Sequence, residues 1–308
     1  MARKRKGDPV HGWLVIDKPQ GMTSSQVVGK VRWLLGAQKA GHGGTLDPMA
    51  TGLLPVAFGE ATKTVSWAMD GRKAYRAAIR WGEERDTCDA EGDVTETSDV
   101  RPRTAEVEAA FPAFTGEIEQ APPAYSAIKI NGRRAYDLAR GGEAPEMLPR
   151  TVTIEALSLV ETPDADHAVI DVVCGKGTYI RSLARDLARH LGTVGHLAAL
   201  RRTAVGSFSE EHKISLDNLD ALGHIPARRE ALLPVETVLD DIPALALTEQ
   251  EAQSLRHGQP ISAEEVARRS PLTDVHESQV SCAFLDERLV ALVRLVGGEI
   301  RPLRVLNM

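Results

Sequence analysis

A single carboxylate stands in a glycine-rich segment whose residue types suit a reactive loop. Residues 41–52 read GHGGTLDPMATG, with Asp47 directly before Pro48. Glycine lets the backbone approach a ligand closely or adopt positive φ, and proline restricts the residue before it to extended conformations. A carboxylate held on such a stiff loop can act as a nucleophile or a general base. The same letters also fit an ordinary turn, because Asp, Pro and Gly are all frequent in turns.

Other common kinds of site are not indicated by the motifs. The sequence contains neither a GxxxxGK(S/T) loop nor a GxGxxG turn between a strand and a helix, which excludes two familiar phosphate-binding loops. The three cysteines lie far apart, with no CxxC and no histidine at ligand spacing: Cys88, Cys174 and Cys282. This favours packing cysteines over a disulfide framework or a structural zinc site.

A helix is predicted before the reactive loop and strands after it. Thr23, with Gln26 three residues later, fits a capping box, and apolar residues at helical spacing predict a helix over 24–36. Residues 53–59 are typical of a short buried strand, and apolar side chains alternating with arginine predict a half-buried strand over 75–81. Further on, the patterns predict a loop over 85–99, a helix over 105–111, an insertion over about 121–150 with a short helix at 135–140, strands over 151–160 and 168–174, and a helix within 175–192.

The chain is long enough for a full core and a second, smaller domain. It has 308 residues, of which 43% are hydrophobic and 26% charged. Past Pro234 the pattern changes to one short helix within 247–261 and two strands within 280–296. We therefore predict a main domain over 1–240 and a small, mostly β domain over 241–308.

Overall charge does not identify a partner. The formal net charge is −6, which argues against a protein coated in positive charge, although a nucleic-acid surface needs only a local basic patch. Each local basic cluster, taken singly, is more typical of a solvated face or a tail: Arg3 to Lys6, Lys129 with Arg133 and Arg134, and Arg201 with Arg202. No apolar run of signal-peptide or membrane-span length follows the basic start, so we interpret the protein as soluble and cytoplasmic.

Several ordered motifs together resemble the TruB family of tRNA pseudouridine-55 synthases. WLVIDKPQGMTSS stands near the start, and GHGGTLDP is followed by ATGLLPVAFGEATK. Then come KAYRA at 73–77, YSAIK at 125–129, GKGTYIRSL at 175–183 and LRRTAVG at 200–206. The resemblance runs from Trp13 to about Leu219, and motifs in this order are highly specific.

The resemblance implies a fold and a reaction. The fold is the α/β (α+β) pseudouridine synthase fold, with a mixed, largely antiparallel sheet, and the C-terminal region resembles the small β-rich PUA-like domain. The reaction converts uridine-55 in the T-loop of tRNA to pseudouridine, with no metal and no organic cofactor. Asp47 matches the catalytic aspartate, and whether it attacks C6 of the base or C1′ of the ribose stays open. Arg181 matches the arginine that pairs with this carboxylate.

The resemblance also implies a pocket for a base flipped out of its stack. Tyr75 in KAYRA matches the tyrosine that stacks on the base, and Tyr179 and Leu200 match a pocket tyrosine and an apolar wall. His42 matches the histidine that lies against the RNA where the base departs. Lys18 in IDKP matches a supporting residue near this site. Without the motifs, these side chains would more often be packed or solvated residues.

RNA is expected as the partner, and no obligatory protein partner and no membrane are expected. An A-form stem is read by shape and phosphates, while sequence is read in unstacked loop bases. The basic insertion with Lys129, Arg133 and Arg134 matches the thumb loop that closes on the T-arm stem-loop. We expect it to be mobile without RNA and to order on binding, and we expect a monomer.

Three alternatives stay open at this point. A dyskerin-type synthase shares these motifs but takes its target from a guide RNA and protein partners. A tRNA-folding chaperone would bind and release the T-arm, with modification incidental. An RNA-binding module without activity would require the combination of Asp47, Tyr75 and Arg181 to be accidental.

Overall fold

The computed structural model describes residues 7–126, 128–130, 132–141, 143, 146–270 and 277–308. Its strands are β1 Gly12–Lys18, β2 Ala40–His42, β3 Thr51–Phe58, β4 Lys73–Trp81, β5 Glu83–Arg85, β6 Val94–Thr97, β7 Gly116–Gln120, β8 Lys129–Ile130, β9 Arg133–Arg134, β10 Arg150–Asp164, β11 His167–Cys174, β12 Gly195–Val205, β13 Lys213–Ser215, β14 Ala244–Ala246, β15 Ile261–Ser262, β16 Val280–Leu285, β17 Arg288–Val296 and β18 Glu299–Val305. Its α-helices are α1 Ser24–Leu34, α2 Val65–Asp70, α3 Thr104–Ala110, α4 Ala135–Arg140, α5 Ile180–His190, α6 Leu216–Ala221, α7 Ile225–Glu230, α8 Glu249–Arg256 and α9 Ala263–Ala267.

One large sheet carries the residues singled out in the sequence. In the described residues it has nine strands in the order β13-β1-β3-β12-β4-β11-β10-β7, with β2 paired to β3. The β1–β13 and β3–β12 pairs are parallel, and the other neighbours are antiparallel. This confirms the mixed, largely antiparallel sheet and the strands predicted around Tyr75 and after the reactive loop.

Helix α1 leads from the first strand to the reactive loop. Thr23 caps it, and the reciprocal bonds between Thr23 and Gln26 form the predicted capping box. Val27, Val31 and Leu34 are fully buried against the sheet. The chain then turns at Gly36, whose φ of +61° is readily adopted only by glycine.

Two segments were predicted wrongly or not at all. The segment 85–99 was predicted as a loop, but Val94–Thr97 pairs with Glu83–Arg85 in a two-stranded hairpin. All four residues of β6 are exposed, so no apolar alternation marked this strand. The segment 213–230 holds β13, α6 and α7, which are too short to show a period in the sequence.

The insertion predicted over 121–150 is described only in part. The pair β8–β9 is followed by α4, as the short helical pattern predicted. The side chains of Lys129 and Arg134 lie outside the described residues, as do Arg3 to Lys6. Arg133 is exposed and lies 3.0 Å from the Glu143 carboxylate.

The C-terminal residues form a second sheet. Its order is β14-β16-β17-β18-β15, and β16 and β17 form the predicted pair of strands. The two sheets share an apolar cluster in which Leu289 and Leu292 pack with Trp13 and Phe208. The boundary at residue 240 stays a prediction. Among the described residues, no helix combines the length and the apolar character that a membrane span requires.

Candidate active site

Asp47 lies on the loop that joins β2 to β3 of the large sheet. Its Oδ2 is 3.0 Å from Nη2 of Arg181, and its side chain is 37% exposed whereas that of Arg181 is only 7% exposed. The carboxylate is therefore open to a ligand on one side and fixed by a buried cation on the other. Such charge-assisted contacts are short and directional, so they fix the orientation of the carboxylate.

The guanidinium of Arg181 is clamped by more than Asp47. Its Nη1 lies 3.3 Å from Oδ2 of Asp89, which is 3% exposed. Nη1 also donates to the carbonyl of Thr87 at 3.1 Å, and Nη2 donates to that of Tyr125 at 3.0 Å. Because one rotamer satisfies all these partners, Arg181 presents a fixed donor to Asp47.

Asp89 is a residue that sequence reasoning missed. Its Oδ1 accepts hydrogen bonds from the Thr87 hydroxyl at 2.6 Å and from the Glu91 amide at 3.1 Å. Between them, Cys88 adopts a φ of 59°, which is uncommon for a residue other than glycine. The segment RDTCDAEGD offers several carboxylates, and nothing in its pattern distinguishes Asp89 from its neighbours.

The reactive loop is anchored to the start of α1. The buried hydroxyl of Ser24 donates to the carbonyl of Leu46 and accepts from its amide, both at 2.9 Å. The ammonium of Lys18 donates to the carbonyls of Met22 at 2.6 Å, Pro19 at 2.9 Å and Pro48 at 3.2 Å. Burial lowers the pKa of Lys18 to about 8, partly offset by the charge of Asp47. Lys18 thus ties the residue after Asp47 to the segment between β1 and α1.

Arg202 anchors the same loop from the opposite side. Its guanidinium donates to the carbonyls of Gly44 at 3.0 Å, Thr45 at 3.3 Å and Leu53 at 2.8 Å. Gly44 has a φ of +121°, a conformation that suits glycine. The basic pair predicted as a surface cluster is divided: Arg202 is 1% exposed, while Arg201 pairs with Asp17 and Glu210.

Tyr75 and Leu200 line the apolar side of the site. Tyr75 is half-buried against the cluster that contains Leu46 and Leu200, and Leu200 is 8% exposed. Burial raises the pKa of the Tyr75 phenol, and the positive charge of its cross-strand neighbour Arg202 partly offsets this rise. The structure therefore brings an aromatic ring, an apolar wall and the carboxylate of Asp47 to one place.

His42 and Tyr179 flank this centre. His42 is the last residue of β2, and burial together with the charge of Arg202 lowers its pKa, so the ring is neutral at pH 7. Tyr179 caps α5, and its amide donates to Oε1 of Gln120 at 2.8 Å. The guanidinium carbon of Arg150 lies 5.1 Å from the centroid of the Tyr179 ring. Tyr179 thus sets the start of the helix that bears Arg181.

The arrangement suits nucleophilic chemistry on a flat, polar heterocycle. An exposed carboxylate with a buried cationic partner can attack or take up a proton. A half-buried aromatic ring can stack on the ring of a base. Within the described part of the chain, no group of three or more His, Cys, Asp or Glu side chains is placed to hold a metal ion.

Comparison with known proteins gives the family to which this fold and site belong. Residues 32–180 match the TruB family pseudouridylate synthase N-terminal domain, and residues 181–240 match the tRNA pseudouridylate synthase B C-terminal domain. The chain is 55% identical over 308 residues to tRNA pseudouridine synthase B of Rhodospirillum rubrum, covering 100% of each. It is 52% identical to tRNA pseudouridine synthase B of Caulobacter vibrioides, again over 100% of each.

The likeness to solved structures agrees with this result. A chain in the crystal structure of a Cbf5–Nop10–Gar1 complex matches with a TM-score of 0.75 and 25% identity, over 99% of this chain and 91% of that one. A chain in the archaeal box H/ACA Nop10–Cbf5 complex matches with a TM-score of 0.72 and 23% identity, over 99% of this chain and 92% of that one. The chain belongs to the TruB family of pseudouridylate synthases.

Proposed function

We propose that this enzyme converts uridine-55 in the T-loop of tRNA to pseudouridine. The observation that carries the proposal is the pair of Asp47 and Arg181 beside the ring of Tyr75. The names of the full-length relatives, tRNA pseudouridine synthase B, support tRNA as the substrate. The T-loop position itself is inferred from the motifs in the sequence.

The reaction requires the target base to leave its stack. The bond between N1 of uracil and C1′ of the ribose breaks, the base turns, and a bond forms between C5 and C1′. C5 loses its hydrogen and N1 gains one, so no oxidant and no group from outside is consumed. Asp47 is the nucleophile that assists detachment of the base, at either C6 or C1′, and both routes need its ionised form.

Each remaining side chain has a role that fits its place. The ring of Tyr75 stacks on the flipped uracil, while Leu200 and Tyr179 close the pocket. The neutral ring of His42 lies at the edge of β2, where it props the space that the base leaves. The exposed Arg133 in the insertion is available to phosphates of the T-stem. The enzyme acts in the cytoplasm as a monomer on this stem-loop.

Release of tritium from C5 tests the proposal directly. A tRNA transcript labelled at C5 of its uridines is incubated with the wild-type enzyme or with Asp47→Ala. A second transcript, in which the T-loop uridine is replaced, is incubated with the wild-type enzyme. We expect stoichiometric release with the wild type, and none after either change. Release that persists in Asp47→Ala would overturn the role of this carboxylate.

The same assay tests one alternative, and a comparison in cells tests the other. A guide-dependent enzyme would leave the transcript alone unmodified. A chaperone that binds the T-arm would keep its benefit to cells in an Asp47→Asn variant that makes no pseudouridine. Full modification of the bare transcript together with loss of benefit in the variant supports the stand-alone synthase.

A further inference from the structure

Arg202 lies where three strands of the large sheet meet. In β12 it is the partner of Tyr75 on β4 and of Gly52 on β3. A side chain at position 52 would be impossible, because its Cβ would lie 2.2 Å from the carbonyl oxygen of Arg202, and Gly52 has a φ of +96°. The backbone of Arg202 is thus seated directly against the strand that follows the reactive loop.

The side chain of Arg202 joins two sides of the pocket. Three of its N–H groups donate to the carbonyls of Gly44, Thr45 and Leu53, and Tyr75 is its neighbour across β12 and β4. A planar guanidinium holds several acceptors at fixed angles, which the ammonium of lysine cannot reproduce. The loop that bears Asp47 and the stacking ring therefore share one rigid anchor.

Burial of the Arg202 guanidinium costs free energy. Within the part of the chain that the structure describes, Arg202 donates to three carbonyls, and no carboxylate makes an ion pair with it. Burying a charge without a counterion costs roughly several kcal/mol of folding free energy, even after the protein relaxes around it. Stability alone would disfavour a buried arginine at this position. We therefore attribute its presence to the geometry of the pocket that it maintains.

We propose that Arg202 is a positioning residue, which holds the Tyr75 ring and the Asp47 loop at a fixed separation so that the flipped base fits between them. The proposal rests on the function proposed above. Arg202 acts through the carbonyls of Gly44 and Thr45 and through its cross-strand neighbour Tyr75. Its loss should slow the chemical step far more than it weakens RNA binding, because small displacements of reacting groups cost rate steeply.

The test compares Arg202→Lys with Arg201→Lys. Arg201 is the matched control, since it neighbours Arg202 but pairs with Asp17 and Glu210. Single-turnover tritium release and the Kd for tRNA are measured for both, after circular dichroism has established folding. We expect Arg202→Lys to lower the rate constant by about tenfold or more with a change in Kd below about twofold, and Arg201→Lys to change neither beyond twofold or so. Equal behaviour of the two variants, or a loss confined to Kd, would overturn the proposal.

Tyr75→Phe gives a second, independent route, because it removes one oxygen and keeps the ring. It should lower the single-turnover rate constant while tRNA affinity is retained, and an unchanged rate would contradict the coupling even if Arg202→Lys failed to fold. In the double variant, Arg202→Lys should cost less than it does beside Tyr75; effects that simply multiply would refute the coupling. Absence of release by the wild type would instead refute the proposed function and leave the contacts of Arg202 unexplained.

Discussion

The interior beneath the reactive loop and the interior of the C-terminal sheet differ in the kinds of side chain that they bury. The network that holds the loop contains four buried charged side chains: Lys18, Asp89, Arg181 and Arg202. The core of the second sheet is a cluster of aliphatic side chains contributed by strands and α8, with Leu245, Leu255, Val290 and Val293 among them. Buried charges cost stability, whereas buried aliphatic groups contribute it. The comparison indicates that the first region is arranged for the position of functional groups and the second for stability.

The largest effect that distinguishes the regions is expected for Arg181→Met. The change leaves Asp89 buried and unpaired and frees Asp47, so the free energy of unfolding should fall by about 3–5 kcal/mol and tritium release should be nearly abolished. Denaturant unfolding and single-turnover assays measure the two effects. Arg189→Met on the same helix is the control: it breaks an ion pair with Glu84 in which the arginine side chain is 55% exposed. Equal losses of stability and of tritium release in Arg189→Met would show that the buried network contributes no more than an exposed ion pair.

Leu255→Ala probes the second region. Leu255 is fully buried in the aliphatic cluster of the C-terminal sheet, and truncation should lower the free energy of unfolding by about 2–5 kcal/mol through lost burial and a cavity. The single-turnover rate constant, measured well below the melting temperature, should stay at the wild-type level. A slowed chemical step in this variant would show that the apolar interior also positions the site.

Lys18→Met sharpens the comparison through pH. Burial lowers the pKa of Lys18 to about 8, and the unfolded chain restores the ordinary, higher value. Between these two values the unfolded state binds more protons, so the free energy of unfolding of the wild type rises with pH; below pH 8 both states are protonated and the penalty is constant. Relative to Lys18→Met, the wild type should gain roughly 3 kcal/mol across this window. Denaturant unfolding of both proteins at several pH values measures the gain, and a constant difference would contradict a buried ammonium.

The smallest effect is expected for Ser24→Ala. The hydroxyl holds both the amide and the carbonyl of Leu46, so its removal should cost about 1–3 kcal/mol by leaving buried backbone groups without a partner. The rate of isomerisation should fall with it, because the loop beside Asp47 loosens. Ser25→Ala, at the exposed neighbouring position, is the matched control in thermal unfolding and in the assay. Identical results for the two serines would remove Ser24 from the list of loop anchors.

Local pattern predicted much of the large sheet and its helices. The capping box of Thr23 and Gln26, the alternation that places Tyr75 on β4, and the apolar face of α5 are all visible in the sequence because each depends on residues a few positions apart. The exposed hairpin strand β6 was missed, since no side chain in it is buried.

The sequence by itself determined the family and the loop that carries Asp47, and it predicted the side chains that we propose for the reaction. Only the tertiary structure decided that Arg202 is buried under the loop while Arg201 is not, and that Asp89 is a second partner of Arg181. These facts depend on contacts between residues far apart in the chain, such as Leu53 with Arg202 or Thr87 with Arg181. A motif records which residue types are present, but the burial of a charge is set by which strands and loops fold over it.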